Sequence, residues 1–103
     1  MQSVNSEIII YQTEDGRAKI DVRMEDQTVW LTQAQMAELF GRERSVITKH
    51  IRNIFAEGEL DEKSNEQNLH IANSDKPVMF YNLDVILVIG YRVKSPRGTQ
   101  FRL

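Results

Sequence analysis

Between Ala18 and Glu25 apolar and polar side chains alternate without a break, Ala18, Ile20, Val22 and Met24 against Lys19, Asp21, Arg23 and Glu25. A period of two places one set on each face of a pleated strand, so this stretch predicts a strand with one buried face. Upstream, Glu7-Ile8-Ile9-Ile10-Tyr11 is apolar and β-branched, and Asp15-Gly16 between the two runs is a turn signal. Together they predict an N-terminal β-hairpin. Val29-Trp30-Leu31 predicts a short third strand, with Trp30 as a core anchor where strand gives way to helix.

At Thr32 the period changes. Thr32-Gln33-Ala34-Gln35 has the form of a capping box, in which Thr32 accepts from the Gln35 amide and the Gln35 side chain reaches back. Met36, Leu39 and Phe40 follow at helical spacing, and Gly41 ends the helix where a left-handed residue is needed. Ser45 is the N-cap candidate for a second helix. Ile47, Ile51, Ile54 and Phe55 then form one apolar stripe, and Gly58 sits where that helix should stop.

Glu57 to Asn68 is acidic and polar and reads as a loop or a poorly ordered stretch. Leu69-His70-Ile71-Ala72 and Val78-Met79-Phe80-Tyr81 predict a second hairpin around Asn73-Ser74-Asp75-Lys76-Pro77. Asn82 is placed to cap a last helix running to about Tyr91, which Ser95-Pro96-Arg97-Gly98 breaks. The sequence stops at Leu103 as Thr99-Gln100-Phe101-Arg102 begins something new, the expectation for the N-terminal part of a longer protein.

One core is all that 103 residues can bury. Absence of cysteine excludes disulfides and Cys-ligated zinc. The start carries no secretory signal, and Val85-Ile86-Leu87-Val88-Ile89 is too short to span a bilayer. A soluble protein with a cytoplasmic location is the default expectation, with no membrane partner.

A net charge of −2 argues at first against a nucleic-acid partner. Its distribution argues the other way. Residues 1–32 hold three bases against six acids, and 57–75 hold one base against six acids. Residues 33–56 instead carry four bases against two acids, and 91–103 carry four bases and no acid. With a Debye length of about 8 Å, local charge outweighs the total.

A helix-turn-helix needs a small residue where two helices cross, a Gly in the turn and apolar residues inside the second helix. Ala37, Gly41, Ile47 and Ile51 supply them at suitable spacing. The turn position after Gly41 is usually apolar; here it is Arg42. The solvent face of the second helix is expected to carry Ser45, Thr48, Lys49 and Arg52, with Arg44 just ahead, a set able to reach base edges and phosphates. A merely solvated helix mixes Glu with Lys, and this face does not. Arg44, Ser45, Thr48, Lys49 and Arg52 are therefore expected in the groove of double-stranded DNA, with Gln33 and Arg42 nearer the backbone. Arg92, Lys94 and Arg97 of the basic C-terminal segment are expected to add phosphate contacts.

Other residues keep plainer readings. His50 and His70 have no cysteine or carboxylate cluster at ligand spacing, so no metal is expected. No nucleophile–base pair is visible, so neither an enzyme nor a cofactor is expected. No heptad seam runs through the chain. A homodimer on paired DNA sites is expected to depend on the full-length protein or on cooperative DNA binding, with this fragment monomeric or weakly self-associating.

Several stretches resemble the RhuM family of bacterial virulence-associated proteins and together cover essentially the whole chain. They are Glu7 to Gly16, Val29 to Phe40, His50-Ile51-Arg52-Asn53-Ile54-Phe55 with Gly58-Glu59-Leu60, Tyr81 to Ile86 and, most specific, Gly90 to Arg102. The N-terminal region of that family resembles phage antirepressor-type and other winged helix-turn-helix DNA binders. The resemblance implies that the hairpin near Leu69–Tyr81 is a wing. The expectation is thus an α+β winged helix-turn-helix with an N-terminal β-hairpin. One domain spans 1–103, with the helix-turn-helix over 32–56, the wing over 69–81 and the last helix over 82–93. Its expected work is transcription regulation or an antirepressor role; the alternative is a protein-interaction module on the same fold.

Overall fold

A computed structural model describes residues 7–12, 16, 19–25, 28–70 and 76–94. The order is β1 (Glu7–Gln12), β2 (Lys19–Glu25), β3 (Thr28–Leu31), α1 (Gln33–Phe40), α2 (Arg44–Ala56), α3 (Glu62–Asn65), β4 (Glu66–His70), β5 (Pro77–Asn82) and α4 (Leu83–Arg92). The architecture is mixed α+β, with a five-stranded antiparallel sheet in the order β1-β2-β3-β5-β4. The N-terminal hairpin pairs Glu7 with Met24 through to Gln12 with Lys19. Trp30 pairs with Asn82 and Leu31 with Tyr81, so α1, α2, α3 and β4 are inserted between two neighbouring strands.

Alternation along the strands decides where the core lies. Ile20, Val22, Val29, Leu31 and Tyr81 face the helices and meet Met36, Leu39, Phe40, Ile47, Ile51, Ile54, Val85, Ile86 and Ile89 in one buried cluster. The helices thus cover one face of the sheet. Trp30 is buried, but pleating turns it away from Val29 and Leu31 to the reverse face. There its indole N–H donates to the Glu25 carbonyl at 3.1 Å. Beside it the Arg23 guanidinium lies 5.4 Å from the centre of the Phe80 ring.

The capping box at Thr32 is present in both halves: the Gln35 amide donates to Thr32 Oγ1 at 3.1 Å, and the Thr32 amide to Gln35 Oε1 at 2.9 Å. Asn82 caps α4 through the Val85 amide. Two expectations are corrected. Ser45 is not an N-cap: the cap position lies two residues earlier, at Glu43, which makes no side-chain cap bond, and α2 starts at Arg44. Residues 57–68 are not one loop, because they hold α3 and most of β4. Asp61 caps α3 by accepting from the Ser64 amide. The buried Asn65 donates to the Asp61 carbonyl at 2.6 Å and accepts from the Asn82 side chain at 2.9 Å. Ile71 to Asp75, part of the expected second hairpin, lie outside the described residues, as do Asp15, Ala18 and 95–103.

Candidate nucleic-acid interface

Two features hold α1 against α2. Gly41 takes φ 64° and ψ 43°, the left-handed conformation, and lets the Arg42 amide donate back to the Ala37 carbonyl at 3.0 Å. Arg42 then donates from its guanidinium to the carbonyls of Phe40 and Gly41, both at 3.3 Å, and to that of Val93 at 2.9 Å. The polar residue at a usually apolar turn position is thus explained: it neutralises carbonyls left over at the ends of α1 and α4.

With the turn fixed, α2 buries Ile47, Ile51 and Ile54 and exposes Arg44, Ser45, Lys49 and Arg52. Among the described residues none of these three cations forms an ion pair. Thr48 does not stand fully on this face. It is half-buried, and its hydroxyl is 2.6 Å from Gln33 Oε1 and 3.0 Å from the Arg44 carbonyl. Gln33 is engaged too, since its amide nitrogen donates to the Tyr81 hydroxyl at 3.2 Å. Burial pushes the Tyr81 hydroxyl above the usual phenol range. Gln33 and Thr48 therefore form a bracket between α1, α2 and β5, and only Arg44, Ser45, Lys49 and Arg52 of the expected groove set project freely.

Beside the bracket is an open hollow of about 210 Å³, lined by Gln33, Thr48, Ile51, Arg52, Phe55, Glu62, Glu66 and Tyr81. Glu66 is raised to about 7, first by burial and then by its hydrogen bond to the Glu62 carboxyl and that group's charge. This pair is not legible in the sequence, because Glu62 and Glu66 lie in a stretch whose polarity resembles a solvated loop.

On the other flank of α2, Arg92 of the acid-free C-terminal segment meets acids from elsewhere in the chain. It is paired with Glu57 at 2.7 Å and with Glu59, which secures the end of α2 to α4. His50 sits between these helices with Nδ1 buried and unpartnered. Burial, with Arg92 and Lys49 adding to it, holds the imidazole below its usual range. Lys94 is exposed in a left-handed conformation, φ 55°. Arg97 lies outside the described residues. Among the described residues no cluster of His, Asp or Glu is fit to hold a metal ion, and no helix is long and apolar enough to cross a membrane.

No match was found among curated proteins or among solved structures. Residues 59–103 match the model of the virulence protein RhuM family, so the resemblance read along the whole chain is met from residue 59 onwards, a segment that takes in α3, β4, β5 and α4, while α1 and α2 precede it.

Proposed function

We propose that this chain binds duplex DNA as a winged helix-turn-helix, with α2 in the major groove and the β4–β5 hairpin as the wing. The observation that carries this reading is the exposed face of α2. It presents Arg44, Ser45, Lys49 and Arg52, and not one of the thirteen residues of the helix is acidic. A buried inner stripe backs the helix while, among the described residues, its three cations stay out of ion pairs. In this reading Arg44 and Arg52 reach base edges or phosphates, Lys49 takes a phosphate, and Ser45 bonds to either. Lys94 and Arg97 add backbone contacts, whereas Gln33, Arg42 and Thr48 set the helix angle. Residues 1–103 then form one domain of a cytoplasmic regulator or antirepressor, a binding module and not an enzyme. An anisotropy titration on random duplex tests it. Neutralising about four to six phosphates gives a log–log salt slope near −4 to −5. Absence of binding at low salt, on random and on selected duplexes alike, sinks the reading.

A second reading, a module that holds a partner protein, is favoured by one observation. Leu87 and Tyr91 on α4 are 42% and 78% exposed beside a hollow of about 480 Å³. Leu87→Ala with Tyr91→Ala leaves DNA affinity intact if α2 alone is the reader.

A further inference from the structure

We infer that β1 is a self-association edge, along which two copies join β1 to β1 in antiparallel fashion about a twofold axis through Ile9. In the sheet order β1 is terminal, and among the described residues no strand lies on its outer side. Edge strands invite pairing unless something blocks them, and the usual blocks are lysine, proline, a bulge or a very short strand. β1 has none of these. It runs six residues in unbroken register with β2 and holds three consecutive isoleucines. Ile8, Ile9 and Ile10 are 53%, 41% and 61% exposed. Single exposed apolar residues are ordinary, but three in succession on a free edge present apolar surface on both faces of the sheet at once.

The occupant that fits is the strand itself. An axis through Ile9 sets Ile8 opposite Ile10 twice, so isoleucine meets isoleucine on one face and Ile9 meets its own copy on the other. The only charged residue of the strand, Glu7, then falls opposite Tyr11, and the two Glu7 positions lie at opposite ends of the new pair. No like charges meet. Joining two such short edges buries less than the roughly 1,200 Å² where standard interfaces begin, so association is weak and in the micromolar range or above.

A continuous antiparallel sheet built this way has its twofold axis perpendicular to the sheet. The helices of each copy cover one face only, so both helical layers, and both α2 helices, come to lie on the same side. The pairing does not depend on the DNA reading; only its use, the presentation of two basic helices to one duplex, rests on that.

Sedimentation of the protein without DNA, from low micromolar to submillimolar concentration, tests the pairing. The expected result is a reversible monomer–dimer equilibrium, which Ile8→Lys together with Ile10→Lys abolishes at unchanged circular dichroism. The absence of native cysteine permits a second test that leaves the rest of the edge intact. Under mild oxidation Ile9→Cys is expected to give a disulfide-linked dimer rapidly, and Tyr91→Cys, more exposed but on α4, is not. A monomer at every concentration overturns the inference. So does cross-linking through Tyr91→Cys in place of Ile9→Cys.

Discussion

Gln33 and Thr48, the first residue of one helix and the middle of the next, are joined by a 2.6 Å hydrogen bond, and Gln33 reaches on to Tyr81. The angle between α1 and α2 is therefore set by polar bonding as well as by the isoleucine stripe. Gln33→Ala removes both links and leaves the buried Tyr81 hydroxyl without this partner, at a cost of about 1–3 kcal/mol. Thr48→Val keeps the shape and removes one link, at a lower cost. A denaturant-melt double-mutant cycle of the two checks it: a coupling energy near zero means the bracket is ornamental.

The two sides of α2 should separate cleanly. Lys49→Ala with Arg52→Ala is expected to weaken DNA binding and flatten its salt slope by about two, with the melting temperature nearly unchanged. Ile51→Ala, at a site only 5% exposed, should instead lower stability by about 2–5 kcal/mol through a core cavity. Unchanged affinity in the double variant removes α2 as the reader and favours the protein-partner reading.

Gly41 is the one turn position whose left-handed backbone controls where α2 begins. Gly41→Ala is expected to destabilise by about 1–2 kcal/mol, because a β-carbon crowds the following carbonyl in that conformation. Gly41→Asn should recover part of the loss, since Asn tolerates left-handed φ. Equal melting curves for all three proteins would falsify this account of the turn.

The raised carboxyl of Glu66 makes a signed statement about pH. In the unfolded chain it ionises near its ordinary value of 4.5, and in the folded protein near 7. Between those values the folded state holds the extra proton, so the contribution of this group to stability falls as pH rises through that window, and the penalty is complete above about 7. His50 acts in the opposite sense below 6.5, so the comparison must be by difference. Glu66→Gln should be more stable than the parent protein at pH 8, with the gap closing towards pH 4.5. A gap that does not change with pH refutes the assignment.

Where local chemistry and tertiary context agree, the sequence was legible. Thr32 and Gln35 form a capping box as their spacing indicates, Gly41 ends α1, Asn82 caps α4, and the alternation from Lys19 to Glu25 is a strand with Ile20 and Val22 inside. Context prevailed where a polar run is ordered by distant partners. Glu66, Gln67 and Asn68 look like loop, yet they pair with Tyr81, Phe80 and Met79 and so become strand. The basic face of α2 was legible as four exposed residues, Arg44, Ser45, Lys49 and Arg52. Thr48 was not, because Gln33 draws its hydroxyl inward, and Arg92 was not, because Glu57 and Glu59, distant in sequence, neutralise it. A charge tally along the chain does not see such pairings.

The bond from Arg42 to the Val93 carbonyl also works as a mechanical latch. The last turn of α4, from which the chain departs at Lys94, is fastened to the turn between α1 and α2 and not only to the sheet beneath it. A pull or twist applied beyond Lys94 reaches that turn directly. The latch is a charge-assisted hydrogen bond, a class worth about 1.5–3 kcal/mol, and without it the turn between α1 and α2 is no longer tied to α4 through Arg42.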